Sequence, residues 1–169
     1  MKWIAISGSW RKTSKEVEDD VRKAIREIIA RGDGIVTGGA LNVDFFATEE
    51  ALRDNPTATQ IKVCLPVSLE RYAAHYRKRA DEGVITHDQA EQLIELLTRL
   101  KAANPQALLE HPTNEVVGQT TYYERNGQVV DLSEELLGFQ VNDSAGVQDT
   151  ADKAKAQGKP VYIKKYLIE

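Results

Sequence analysis

The chain has 169 residues, of which 41% are hydrophobic and 28% are charged, and its formal net charge is −4. This composition excludes an intrinsically disordered chain, and the length suits one domain with its own hydrophobic core. The negative charge argues against a broad electrostatic surface for nucleic acid, although it is compatible with a local basic pocket. The single cysteine excludes a disulfide framework and indicates a reducing compartment, so we expect a cytoplasmic protein.

Neither a membrane segment nor a metal centre is predicted. No apolar run approaches the ~18 residues that a membrane span requires. The histidines at 75, 87 and 111 lack the spacing of metal ligands. Residues 3–7 are apolar but reach Gly8 too soon for a signal peptide, so they predict a buried strand that starts the fold.

Short apolar strands alternate with amphipathic helices in the first part of the chain. Strands are predicted at 3–7, 34–37 and 61–65, with a helix between Thr13 and Gly32 and another from residue 43 onward. Thr13 and Glu16 have the spacing of a capping box, which makes Thr13 the predicted N-cap of the first helix. The alternation predicts parallel strand pairing through right-handed crossovers.

The middle of the chain has a different pattern. Two helices are predicted at 69–82 and 88–101, followed by a long loop over 105–118, and we interpret residues 68–118 as a helical insertion. The alternation then returns, with helices at 119–131 and 147–157 and strands at 136–141 and 160–163. The expected fold is a single three-layer α/β domain over residues 1–169 with a mostly parallel sheet.

Three loops share one design, in which small residues connect a strand to a helix. They are residues 7–11, 37–44 and 142–147. In a parallel sheet such loops lie at the carboxyl ends of the strands, where ligands bind. Small residues let a phosphate approach the backbone, and the free N–H groups at a helix start hold the anion. The three loops therefore predict a common anion pocket.

Four segments resemble motifs of the SLOG superfamily of Rossmann-like domains, which includes the DNA-processing protein A (Smf) and LOG lysine-decarboxylase-like families. Ile6–Ser9 with Arg11 is similar to their first-strand signature, and residues 36–44 with Ala47 resemble the DNA-processing SGGAxGID..AH motif. Residues 123–126 resemble the LOG HERK segment, and residues 144–150 lie where LOG proteins carry PGGxGTxxE. The resemblance covers about residues 3–65 and 119–163 and implies a Rossmann-like fold.

The resemblance also implies a nucleotide-type ligand at the carboxyl edge of the sheet, and no other cofactor is identified. The residues expected to bind it are Gly8, Ser9, Trp10, Arg11, Thr37, Gly38, Gly39, Ala40, Asp44, Tyr123, Arg125, Asn126, Ser144, Ala145, Gly146 and Thr150. Asn42 replaces the inner glycine of the DNA-processing motif, and asparagine tolerates positive φ better than most residues. Thr48 stands at that family's histidine position.

A catalytic role is an open question. LOG-type removal of a base from a nucleoside monophosphate is expected to use an arginine and a glutamate. Arg125 matches the arginine, whereas Thr150 occupies the position of the glutamate. Asp149 is adjacent but turned by roughly 100° on a helix, and Glu124 is another nearby carboxylate. The catalytic candidates are therefore Arg125, Asp149 and Glu124.

Several residues have more than one interpretation. Arg125 either pairs with a phosphate or forms a surface ion pair, and Arg11 either reaches a phosphate or base or remains a solvated charge. Trp10 either stacks on a base or covers the first helix. Asp44 either binds a ribose hydroxyl or, as we favour, caps the second helix. The aromatic, basic stretch 72–79 closes over a nucleotide, contacts single-stranded nucleic acid or, as we favour, forms a solvated, partly packed helix face.

Three functions follow from these observations. The first is a sensor or binding module for a nucleotide or nucleotide-derived small molecule. The second is an N-glycosidic hydrolase or transferase that acts on nucleoside monophosphates, with Asp149, Glu124 or Asp44 supplying the carboxylate. The third is a single-stranded DNA-binding protein of the DNA-processing type, against which the acidic balance argues. The resemblance implies a homodimer, for which the apolar helix face at Leu93, Leu97 and Leu100 is a candidate surface unless it packs on the sheet.

Overall fold

A six-stranded, all-parallel sheet forms the centre of the structure, a computed structural model that describes residues 1–169. The strands are β1 (Trp3–Gly8), β2 (Gly34–Thr37), β3 (Ile61–Cys64), β4 (Leu108–Leu109), β5 (Glu135–Val141) and β6 (Val161–Tyr166). Their spatial order is β4-β3-β2-β1-β5-β6. Strands β2, β3 and β4 are therefore added in turn on one side of β1, and β5 and β6 on the other side. This reversal places the topological switch point at β1 and β5, where ligands bind in open parallel sheets.

Six helices cover the two faces of the sheet and complete the predicted three-layer Rossmann-like fold. They are α1 (Lys15–Ala30), α2 (Val43–Asp54), α3 (Leu69–Asp81), α4 (His87–Ala103), α5 (Gln119–Asp131) and α6 (Ala145–Ala156). Ile4 and Ile6 of β1 point into the larger core with α1–α4, whereas Ala5 points to the smaller core with α5 and α6. The alternation of side chains along each strand separates the two cores. No helix combines the length and apolarity needed to cross a bilayer.

The first helix begins one residue later than the capping-box pattern predicts. Ser14 is the N-cap of α1, and its hydroxyl accepts a hydrogen bond from the Val17 amide at 3.3 Å. The prediction of Thr13 as the cap is therefore wrong, because Ser14 has the extended backbone that an N-cap requires and lies three residues before a free amide. At the start of α4, Thr86 is the N-cap and forms a capping box with Gln89.

The predicted insertion also contributes to the sheet. Helices α3 and α4 pack on each other, and a 3-10 turn at Pro105–Ala107 leads into β4, which pairs in parallel with β3. This two-residue strand lies within the predicted loop 105–118 and is too short to show an alternation of apolar and polar residues. Leu93, Leu97 and Leu100 are buried in the larger core, so that helix face is not a surface for self-association.

Gly8 permits the close approach of β1 and the start of α2. A Cβ on Gly8 would lie 2.2 Å from the Cβ of the buried Val43, so Gly8→Ala forces the two elements apart. We expect the substitution to lower the free energy of unfolding by about 1–3 kcal/mol, as measured by urea denaturation. Gly127→Ala in α5 is the control, because its Cβ has no neighbour nearer than 3.9 Å. Equal stability of the two variants would contradict this account.

Candidate functional site

The three strand-to-helix loops meet around one cavity of about 500 Å³ at the carboxyl edge of the sheet. The cavity lies over the switch point, with α3 and α5 contributing to its walls. The predicted ligand-binding residues that line it are Gly8, Trp10, Arg11, Gly38, Ala40, Asp44, Tyr123, Arg125, Asn126, Ser144, Gly146 and Thr150. The cavity is therefore formed largely by residues that the sequence singled out, although they come from distant parts of the chain.

The remaining predicted residues do not line the cavity. The hydroxyl of buried Ser9 accepts a hydrogen bond from the Val141 amide at 2.9 Å and so joins the first loop to β5. Thr37 is buried, with 3.2 Å between its hydroxyl oxygen and that of Thr48 in α2. Ala145 is exposed at the start of α6. Ser9 and Thr37 thus hold the loops in place from behind.

Gly39 shapes the second loop through its backbone. Its φ of 70° lies in the region that favours glycine. Its carbonyl accepts a hydrogen bond of 2.9 Å from the Tyr72 hydroxyl, which fixes the loop against α3. Asn42 in the same loop has a φ of 61°, as expected from its replacement of a motif glycine, and its side-chain amide donates to the Trp10 carbonyl. The first and second loops are therefore held to each other by a direct hydrogen bond.

Arg125 is the central cation of the cavity. Its Nη1 donates to the Gly38 carbonyl, and its Nε donates to the side-chain oxygen of Asn126 at 3.1 Å. The guanidinium lies 5.2 Å from the centre of the Tyr122 ring, and only 8% of the residue is exposed. It forms no ion pair, so the interpretation of Arg125 as a surface ion-pair partner is wrong. A buried guanidinium held between two elements is an ordered donor for an anion.

The two catalytic carboxylate candidates lie outside the cavity lining. Asp149 accepts from the Asn126 amide at 3.1 Å and pairs with Lys153 at 2.6 Å. Glu124 is exposed and accepts a hydrogen bond from Asn114. Thr150, at the position of the LOG glutamate, lines the cavity, but its hydroxyl donates to the Gly146 carbonyl at 2.9 Å. Asp149 and Glu124 are therefore turned toward partners elsewhere, and Asp44 is the considered carboxylate that does line the cavity.

Asp44 is the one acidic residue that lines the cavity. Its Oδ2 accepts from the Ala40 amide at 3.2 Å, whereas its buried Oδ1 has no hydrogen-bond partner. Burial raises the pKa of this carboxyl, and the nearby Arg125 guanidinium and the backbone amides of Ala40 and Gly38 oppose the shift. Our preferred interpretation of Asp44 as the cap of α2 is wrong, because Asn42 occupies the N-cap and Asp44 braces the preceding loop instead.

Helix α3 forms an aromatic and basic wall of the cavity. Tyr76, His75 and Arg79 line it, and Tyr72 lies behind them with only 1% exposed. Burial lowers the pKa of His75, and the charge of Arg79 adds to that shift. The stretch is thus a partly packed helix face, as predicted, in which Tyr72 and Tyr76 are buried and Arg77 is exposed. Tyr72 and Tyr76 are four residues apart, which places them on one face of the helix. The sequence alone contained this indication of a packed face.

Apolar residues from irregular segments complete the wall. Val84 and Ile85 come from the turn after α3, and Val117 from the segment before α5. None was predicted to be near a ligand, because short apolar runs in loops carry no periodic signal. The cavity thus combines a cationic, amide-rich floor with an apolar and aromatic side.

The first loop carries free positive charge at the mouth of the cavity. Trp10 is 39% exposed, and the Arg11 guanidinium lies 5.1 Å from the centre of its ring. Arg11 and Lys12 are exposed and form no ion pair with a carboxylate. An unpaired cation beside an exposed aromatic ring is a suitable contact for a nucleotide, whose base stacks and whose phosphate is negative.

The fold and the motifs define a class, the SLOG superfamily of Rossmann-like domains, as the sequence resemblance indicated. The family model for DNA recombination-mediator protein A matches residues 1–168. The chain therefore belongs to the DNA recombination-mediator protein A family. A comparison with curated proteins finds no match to its sequence.

Solved structures share this fold. DNA processing protein A from Helicobacter pylori matches with a TM-score of 0.68 and 22% identity, covering 96% of this chain and 64% of its own. DNA processing protein A (DprA) from Streptococcus pneumoniae matches with a TM-score of 0.64 and 18% identity, covering 96% and 50%. The structural-genomics target TM1055 matches with a TM-score of 0.53 and 16% identity, covering 95% and 72%. The chain thus spans less than two thirds of both DNA processing proteins.

Proposed function

We propose that this chain binds single-stranded DNA and holds one nucleotide of the strand in the cavity. The observation that carries the proposal is the convergence of the three loops on buried Arg125, beside aromatic side chains. Membership of the family supports DNA as the source of the nucleotide. The structure of the Helicobacter pylori relative is described in terms of its single-stranded DNA binding mode, which supports the same ligand class.

The floor of the cavity is suited to a phosphate. The turn at Gly38–Ala40 has no bulky side chain, and a Cβ on Gly38 would lie 2.7 Å from the Arg125 guanidinium. Ser144 and Gly146 bring the start of α6 to the same cavity, where free amides and the helix dipole favour an anion. A phosphate here therefore receives charge from Arg125 and hydrogen bonds from the backbone.

The aromatic side of the cavity is suited to a base. Trp10, Tyr122, Tyr123 and Tyr76 line it, and base stacking on such rings tolerates any sequence. Hydrogen bonds between Tyr72 and Tyr76, 3.2 Å apart, and between Tyr72 and Gly39 keep the α3 side of this wall rigid. We therefore expect sequence-tolerant binding with little rearrangement of the protein.

The charge distribution restricts the contact to a few phosphates. The net charge is −4, and the cations that line the cavity are Arg11, Arg125 and Arg79, the last of which also pairs with Glu82 at 2.9 Å. Each phosphate contact to a single strand contributes about 0.7 to the slope of log affinity against log salt. Three arginine contacts therefore predict a slope of about −2, much shallower than that of a protein with a broad basic surface.

Arg11→Ala is the sharpest substitution for this proposal, because Arg11 is exposed and holds no other element in place. We expect the affinity for a short oligodeoxythymidylate to fall about fivefold at low salt and the salt slope to become shallower by about 0.7. Fluorescence anisotropy over a salt series measures both quantities. Arg99→Ala is the matched control, because it removes an exposed arginine of α4 away from the cavity. Identical slopes for the two variants would contradict the proposal.

A free nucleotide is the second candidate ligand, and the size of the cavity favours it. A volume of about 500 Å³ lies within the range of small-molecule sites. Calorimetric titration with nucleoside monophosphates separates the two candidates. Tight binding of a monophosphate with no binding of the oligonucleotide supports a nucleotide sensor. Tight binding of the oligonucleotide with only weak competition by the monophosphate supports the DNA proposal.

A further inference from the structure

Only one of the two carboxylate oxygens of Asp44 accepts a hydrogen bond from the protein. Only 6% of the residue is exposed, and the residue lines the cavity. Its Oδ2 accepts a hydrogen bond from the Ala40 amide, and the Gly38 amide is a second backbone group near the carboxylate. The buried Oδ1 nevertheless accepts no hydrogen bond of good geometry. A buried acceptor without a donor costs about 1–3 kcal/mol, and more when it is charged. A donor supplied by the ligand would remove that cost.

Asp149, a second carboxylate near this site, accepts hydrogen bonds at both of its oxygens. Its Oδ2 accepts from Asn126 and from Lys153, and its Oδ1 accepts from Lys153 at 2.6 Å. Both of its oxygens are therefore occupied within the protein, and it does not line the cavity. Asp44 Oδ1 is the one buried carboxylate oxygen of the chain that accepts no hydrogen bond.

We propose that Asp44 accepts a hydrogen bond from a hydroxyl group of the nucleotide sugar, so that the cavity prefers a strand end with a free 3′-hydroxyl. This inference rests on the proposed function, because it names the part of the strand that the cavity holds. An internal nucleotide of DNA has both sugar oxygens esterified and offers no hydroxyl, whereas the 3′-terminal nucleotide offers one.

The choice of a sugar hydroxyl follows from where Asp44 lies. A phosphate carries no proton at its oxygens for Asp44 and would be repelled by the carboxylate, so the phosphate lies on the Arg125 side. Asp44 lies in the first turn of α2 and holds the Ala40 amide of the preceding Gly38–Ala40 turn, next to the proposed phosphate position. The sugar is the part of a nucleotide adjacent to its phosphate, whereas the amino groups of the base lie at the far edge.

The test compares oligodeoxynucleotides of one sequence that differ only at the last sugar, which carries a 3′-hydroxyl, a 3′-hydrogen or a 3′-phosphate. Wild-type protein is expected to bind the 3′-hydroxyl form about tenfold more tightly than the 3′-hydrogen form, the effect of one hydrogen bond to a charged group. The 3′-phosphate form is expected to bind no better than the 3′-hydrogen form. This comparison requires no substitution, so it does not depend on the folding of a variant.

Two variants then assign the preference to Asp44. Asp44→Asn is expected to reduce the tenfold preference to about twofold or less, because a neutral amide accepts a weaker hydrogen bond. Asp152→Asn, which changes an exposed carboxylate of α6 outside the cavity lining, is the control and is expected to retain the preference. Equal binding of all three strand ends by wild-type protein would overturn the inference, and so would an unchanged preference in folded Asp44→Asn.

The same binding measurements distinguish failure of the Asp44 inference from failure of the DNA-binding proposal. Binding of all three oligonucleotides with equal affinity leaves the DNA proposal intact and refutes only the role of Asp44. If no oligonucleotide binds, the DNA proposal fails, and thymidine 5′-monophosphate is compared with its 3′-deoxy analogue. A tenfold preference for the hydroxyl form there supports Asp44 as the sugar contact, and equal or absent binding refutes it.

Discussion

Glu50→Ala is expected to lower the free energy of unfolding by about 3 kcal/mol, the largest loss of stability among the changes considered. Glu50 is 1% exposed and lies between α1 and α2. Its Oε1 is 3.0 Å from Arg26, and its Oε2 is 3.3 Å from Arg53. Removing the carboxylate leaves Arg26 and Arg53 without their shared anion. Arg22 keeps its pairs with Glu18 and Glu49 but loses the negative charge nearest to its buried Nη1.

Arg22 makes the effect larger than that of an ordinary surface pair. Its side chain is 15% exposed, and its Nη1 lies 3.9 Å from Glu50 without a hydrogen bond of its own. Arg26 and Arg53 are more than half exposed and can return to water, but Arg22 cannot do so without separating α1 from α2.

Thermal and urea unfolding measure this effect. For a chain of this length, a loss of 3 kcal/mol corresponds to a fall in Tm of roughly 6–12 °C. Glu49→Ala is the matched control, because Glu49 is one third exposed and pairs with Arg22 alone. The control is expected to lose less than about 1 kcal/mol, as exposed pairs do. A similarly small loss in Glu50→Ala would show that the buried cluster is not a major source of stability.

Arg125→Ala is expected to produce the largest loss of ligand binding. The substitution removes the buried guanidinium of the cavity and its hydrogen bond to the Gly38 carbonyl. A charge-assisted contact with a phosphate contributes about 2–3 kcal/mol, so affinity for single-stranded DNA should fall about 30- to 150-fold. Anisotropy titration at fixed low salt measures the loss, and thermal unfolding verifies that the variant is folded.

Arg125→Lys distinguishes the contribution of the positive charge at position 125 from that of the planar guanidinium shape. A lysine retains the positive charge, but its compact ammonium cannot both hold the Gly38 carbonyl and present a planar fork to a phosphate. It should therefore recover only part of the affinity that Arg125→Ala loses. Arg99→Ala, an exposed arginine of α4, is expected to bind as the wild type does. Wild-type affinity in a folded Arg125→Ala protein would refute the proposed phosphate site.

The sequence was informative wherever the signal is local. The spacing of apolar residues predicted five of the strands and all six helices, because a helix or a strand repeats its buried positions every few residues. Strand β4 has two residues and therefore no repeat, so it was missed. The N-cap of α1 was placed one residue early because Thr13 and Ser14 offer the same hydroxyl chemistry, and only backbone geometry distinguishes them.

Motif spacing predicted where the three loops lie, but not which of their residues face the cavity. Small residues after three strands predicted turns at one edge of a parallel sheet, and they do lie around one cavity. Spacing did not indicate which residues of each loop face it: Gly38 lines the cavity, whereas Gly39 bonds to Tyr72 behind it. That choice depends on backbone dihedral angles, which neighbouring elements impose.

By itself, the sequence determined the order of the elements, the parallel α/β class, the superfamily and the loops that reach the carboxyl edge. Only the tertiary structure decided that Arg125 is buried against Gly38, that Asp44 has a free oxygen, and that Glu50 lies among arginines. Each of these depends on groups that are distant along the chain or on different helices. Periodicity records how a segment folds locally, whereas burial and charge pairing are fixed only when separate segments pack together.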